Sequence, residues 1–143
     1  MAFNLSAFST KDTDDMHLML DGEPCYAPKE LDKQGNVISY DMDKPVTIKV
    51  YCAHSTHGSR VSREYNRKKD PIEKKIGDRV KTDAEIEELD GMFYAYVAQL
   101  VAGWSNIEPE YSPESARDLM KMYPDVAQQV FLHSVRKANY RKK

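Results

Sequence analysis

Cys52, His54 and His57 bring three metal-ligating side chain types into one short stretch of the chain. Their spacing, C-x-H-x-x-H, matches no standard zinc pattern, and the sequence offers no fourth ligand nearby. The better reading is a cysteine at a strand end followed by two loop histidines. Asp12, Asp14 and Asp15 form an acidic run but lack the glycine of a calcium loop. Glu87 and Glu88 are adjacent in a helical segment, so their carboxylates diverge and cannot work as an acid–base pair on one substrate. His17 and His133 stand alone. Serine is never presented in a G-x-S-x-G elbow, and no P-loop or dinucleotide fingerprint occurs. Catalysis needs a positioned set of groups. None is spelled out, so the expectation is a non-catalytic protein with no cofactor and no metal.

The elements that would position these residues follow from patterning. The 143 residues are 41% hydrophobic and 31% charged, which allows one domain, 1–143, with a core. No apolar run reaches the roughly 18 residues of a membrane span. The start, Met1-Ala2-Phe3-Asn4-Leu5, does not read as an export signal, so Cys25 and Cys52 are expected to be reduced thiols in a cytoplasm. Residues 1–13 read as a flexible arm carrying Phe3, Leu5 and Phe8. Residues 14–53 read as a small antiparallel β unit. Its turns are Asp21-Gly22 and Lys33-Gln34-Gly35-Asn36, Val37 to Tyr40 reads as a strand, and its best strand is Pro45 to Tyr51, with Val46, Ile48 and Val50 on one face. Residues 54–140 read as four to five helices. Val61 and Tyr65 share a face, Asp70-Pro71 should interrupt that helix, and Ile72, Ile76 and Val80 follow. The strongest helix is expected from Thr82 to Gly103, opened by a Thr82/Glu85 capping box. Its stripe is Ile86, Leu89, Phe93, Val97, Leu100 and Trp104. Ser112-Pro113-Glu114 starts another helix. Tyr123-Pro124 ends it, and a last helix should run to Asn139 before the basic tail 141–143. The fold class is therefore α+β.

Charge is segregated. Residues 1–45 hold nine acids against four bases, residues 60–81 nine bases against four acids, and residues 82–135 ten acids against two bases; Arg136 to Lys143 adds five bases and no acid. Such alternation suits head-to-tail self-association, helped by an arm with little local structure to bury its phenylalanines. It also leaves open a small nucleic-acid-binding regulator using segments 60–81 and 136–143.

The succession Val46 to Tyr51, Thr82 to Gly103, Gly103-Trp104, Ser112-Pro113-Glu114-Ser115-Ala116-Arg117-Asp118-Leu119 and Tyr123-Pro124 resembles the tail assembly chaperones of long-tailed bacteriophages. The resemblance spans residues 37–140 and is most specific over 97–124. It departs from the family at Trp104-Ser105-Asn106, where Trp-Ser-Gly or Trp-Gly-Gly is common. The resemblance implies a protein that binds the tape measure protein, keeps it soluble and promotes tail tube assembly. It would work in the host cytoplasm and be absent from the mature virion. Implied partners are the tape measure protein, further copies of itself, the tail tube protein and a frameshifted longer form of itself, with neither membrane nor nucleic acid. The candidate partner-binding or structural residues are Phe3, Phe8, Phe93, Val97, Leu100, Trp104, Leu119 and Phe131.

Overall fold

The computed structural model describes residues 10–141. It is α+β, with seven strands, four α-helices and a closing 3-10 turn among these residues. Phe3 and Phe8 lie outside the described residues.

The central strand, β6 (Thr47–Tyr51), alternates as its sequence dictates: Ile48 and Val50 have no exposed surface, while Lys49 faces solvent. On one side it pairs antiparallel with β1 (Thr13–His17), Met16 opposite Ile48 and Asp14 opposite Val50. On its other side lies β7 (Val101–Ser105), with Trp104 opposite Ile48 and Val101 opposite Val50. The order is β1-β6-β7. Two ribbons project from this sheet. The first joins β2 (Met19–Leu20) to β3 (Glu23–Pro24) through Asp21 and Gly22, both at positive φ (52° and 79°), the Asp-Gly turn that matches hairpin twist. The second pairs β4 (Tyr26–Leu31) with β5 (Val37–Pro45). Its turn is held by the Asp32 carboxylate, which accepts from the Gln34 and Asn36 amides at 2.9 and 2.8 Å. Sheet and ribbons meet in a closed ring of three backbone bonds, each 2.9 Å: Leu18 N–H to Val46 O, Val46 N–H to Cys25 O, and Cys25 N–H to Leu18 O.

Helix α1 (Thr56–Ile76) starts where Ser55 accepts from the Gly58 amide at 3.0 Å. It runs straight through Pro71, contrary to the expected interruption at Asp70-Pro71. Proline removes one donor and disfavours helix in the residue before it. Burial of Ile76 in the final turn outweighs that local preference. Helix α2 (Asp83–Gln99) opens on the expected Thr82/Glu85 capping box. It ends four residues before the expected Gly103, because Val101–Ser105 leaves the helix and becomes β7. Segment 54–140 therefore contributes a strand as well as helices. Helices α3 (Pro113–Met122) and α4 (Pro124–Val135) share Tyr123 as the single residue between them. Helix α4 stops short of the expected Asn139. A 3-10 turn, Lys137–Tyr140, follows and buries Tyr140 completely. Residues 10–13, expected within the flexible arm, are tied into the fold: Thr13 is in β1, the Lys11 amide donates to Tyr140 O at 2.7 Å, and Thr10 bridges to Arg141.

The core lies between one face of the sheet and helices α2, α3 and α4. Ile48, Val50, Val97, Leu100, Ala116, Met120, Ala127 and Val130 have no exposed surface there.

Candidate functional site

The residues singled out from sequence do not converge on one site. Val97 and Leu100 have no exposed surface and are core side chains. Phe93 and Phe131 are half-buried, their ring centroids 5.6 Å apart, in an aromatic cluster where α1, α2 and α4 meet. Tyr65 and Tyr96 stack at 4.6 Å inside that cluster. Leu119 is half-buried on α3, against the core. Trp104 does not continue the apolar stripe of α2. It sits half-buried on the edge strand β7, its indole N–H donating to Pro109 O at 3.0 Å and its ring edge-on to Tyr111. An edge strand has cover from one side only, which is why the indole is not fully enclosed.

Three of the candidate histidines are tied into the fold, whereas His54, Asp12, Asp15, Glu87 and Glu88 are exposed. His57 donates from Nε2 to Gln99 O at 2.7 Å, accepts from Arg60 at Nδ1, and packs on Tyr51 with centroids 4.0 Å apart. His17 donates to Cys25 O at 2.8 Å. His133 reaches Asp14 Oδ2 at 2.9 Å, and Lys11 reaches the other oxygen at 2.6 Å. Burial alone would raise the Asp14 carboxyl; hydrogen bonds from Lys11 and His133 outweigh it and hold the group below the usual carboxylate range. Among the described residues no cluster of histidine, cysteine, aspartate or glutamate is placed to hold a metal. Both cysteines are free thiols, Cys52 buried and Cys25 half-buried; burial pushes the Cys25 thiol up.

Exposed apolar surface also lies elsewhere, where the sequence analysis singled out no site residue. Between the two ribbons is a cleft of about 550 Å³ lined by Leu20, Pro24, Cys25, Tyr26, Tyr40 and Met42, with Glu23 beside them. Met42 is 70% exposed, Tyr40 57% and Leu20 46%. Ile38, Val37 and Leu31 are exposed as well, nearer the ribbon tip. Exposed apolar side chains gathered in a cleft suit an interaction site. Among the described residues no third strand joins β4 and β5, and two strands alone are marginal in water. The alternation Ile38, Tyr40, Met42 was the signal in the sequence. It could not say that the face it builds would have no cover.

The fold is α+β, and the exposed apolar cleft is its candidate interaction surface. The family model of the YdaY prophage protein matches residues 56–143. The chain belongs to the YdaY prophage protein family, and it is phage-derived. The match runs from α1 through β7 to the C-terminus; the cleft, within residues 20–42, lies outside it. No curated protein and no solved structure matches the chain. No helix among the described residues is long and apolar enough to cross a membrane.

Proposed function

We propose that this protein is a non-catalytic tail assembly chaperone: it binds the tape measure protein of its phage, keeps it soluble and promotes tail tube assembly in the host cytoplasm. The observation that carries the reading is the open apolar cleft between the ribbons. A tape measure protein exposes apolar stripes along a long helical chain before assembly. A chaperone for it needs apolar surface set among charge, repeated over many copies. Phage origin supports the reading, as does the pattern over residues 97–124, which runs α2 end, β7, capped α3. Self-association is part of the proposal. Copies would meet head to tail through the basic face of α1 and the acidic segments, and they would leave before the virion is complete.

Copurification from an induced lysogen tests this. The tape measure product should accompany the protein in the lysate, and the protein should be absent from purified particles. Recovery of the protein without the tape measure product, or as a component of finished particles, would overturn the proposal. A second reading has one observation in its favour: α1 exposes Arg60, Arg63, Lys68, Lys74 and Lys75, none of them in an ion pair among the described residues. A nucleic-acid-binding role for that face would show affinity falling log-linearly with salt.

A further inference from the structure

The cleft has an open face but guarded edges. Pro28 in β4 and Pro45 at the end of β5 cannot donate to an added strand. Register shifts between Tyr26 and Ala27, Pro28 and Glu30, and Glu30 and Leu31 break the line of the ribbon edge. Pairing β5 with another copy of itself, antiparallel and centred on Asp41, would set Asp41 against Asp41, and like charges directly opposite are destabilising. A further strand is therefore disfavoured. What remains is an element that buries side chains without asking for backbone hydrogen bonds, and an α-helix has already satisfied its own.

Charge sets the flank of that helix. Residues 19–45 carry Asp21, Glu23, Glu30, Asp32, Asp41 and Asp43 against Lys29, Lys33 and Lys44. No ion pair among the described residues involves any of them. Glu23 lines the cleft, and over the two ribbons carboxylates outnumber lysines six to three, so a client with lysine or arginine beside its apolar stripe is attracted and one with glutamate or aspartate repelled. Leucine, methionine and tyrosine walls adapt to varied apolar side chains, as a client of changing sequence requires.

We infer that the cleft between the β2–β3 and β4–β5 ribbons is the docking site for the apolar face of an amphipathic helix flanked by lysine and arginine. The inference rests on the chaperone reading and assigns client contact to the ribbons rather than to the aromatic cluster on the helices.

The full chain is titrated with two labelled model helices of about 18 residues, long enough to be helical when bound. Both have a leucine stripe; one has lysine on its polar face, the other glutamate. The lysine helix should bind at least about tenfold more tightly than the glutamate helix. Tyr40→Ser with Met42→Ser should weaken the lysine helix by at least about tenfold. Leu20→Ser, on the opposite wall, should weaken it independently. Val80→Ser, in the α1–α2 loop outside the cleft, should change nothing, and thermal melts should show all variants folded. Equal binding by the Tyr40/Met42 variant, or no preference for lysine, overturns the inference. So does a variant that falls apart into smaller species without losing peptide affinity, since a second copy would then be the occupant. A tape measure protein that copurifies equally with wild type and variant sinks the cleft assignment and leaves the chaperone reading intact. Failure of wild type to retain the tape measure protein, with the peptide titration as expected, sinks the chaperone reading instead.

Discussion

Replacing Gly58 by alanine places a methyl group 2.1 Å from the Cys52 carbonyl oxygen and 2.8 Å from Ala53 Cα. Both neighbours are backbone, so no rotamer change can make room. The collision sits at a junction. Cys52 O accepts from the Ser55 hydroxyl at 2.6 Å and the Ser55 amide at 3.1 Å, and Ser55 in turn caps α1. Moving the helix start away from the strand end must loosen those bonds. Overpacking of this kind costs roughly 1–3 kcal/mol, and a weakened N-cap adds about 0.5–2 kcal/mol. Alanine's better helix propensity returns up to about 1 kcal/mol. The net expectation is a loss of roughly 2–3 kcal/mol, or a drop in Tm of roughly 6–12 °C for a domain of this size. Gly91→Ala is the matched control. It is exposed within α2, with no atom near its would-be Cβ, so it should stabilise by up to about 1 kcal/mol. Thermal and urea unfolding followed by circular dichroism give both values. A Gly58→Ala protein as stable as wild type would refute the close approach of α1 to the end of β6.

Three further expectations follow from the structure. The Glu85 carboxyl is lowered to about 2 by Arg79, which binds it through both guanidinium arms, and by the Thr82 amide; a lowered carboxyl stabilises the fold above its ordinary pKa of 4.5 and stops doing so as pH falls toward 2, so Glu85→Gln should flatten the acid limb of the stability curve in that window. Trp104→Ala should cost roughly 2–3 kcal/mol in urea unfolding, below the roughly 3–5 kcal/mol expected if the indole were enclosed, and acrylamide should partly quench its emission; a loss under about 1 kcal/mol would contradict its packing on Tyr111. Cys25 and Cys52 should both label in denaturant without reductant, with Cys25 labelling before the buried Cys52 in the native protein; an intact mass short of two hydrogens would contradict the free thiols.

Local chemistry made much of this fold legible. Thr82 with Glu85 and Ser112 with Pro113 each carry their own capping instructions, and β6 announces itself by alternation. The misreadings all come from partners distant in the chain. The stripe Val97, Leu100, Trp104 continues the helical spacing past Gln99, yet Val101 to Ser105 has an open edge of β6 to pair with, and sheet formation wins there. Strand β1, Thr-Asp-Asp-Met-His, is too polar to signal a strand; it forms because β6 supplies register and Lys11 and His133 supply partners for Asp14. Pro71 was read as a break because its local cost is plain in sequence, whereas the burial of Ile76 is not. The cleft is the same kind of case. Each apolar residue of β5 is visible, but that its face lacks cover is a property of the assembled sheets.

The central proposal is that this protein holds a tape measure chain in solution, and light scattering measures that directly. The tape measure protein of the same prophage is diluted from denaturant into buffer, alone and with increasing amounts of this protein. Scattering should fall with added protein and level off at a fixed ratio of copies to client. Scattering that is unchanged by a large excess of folded protein would contradict the chaperone function.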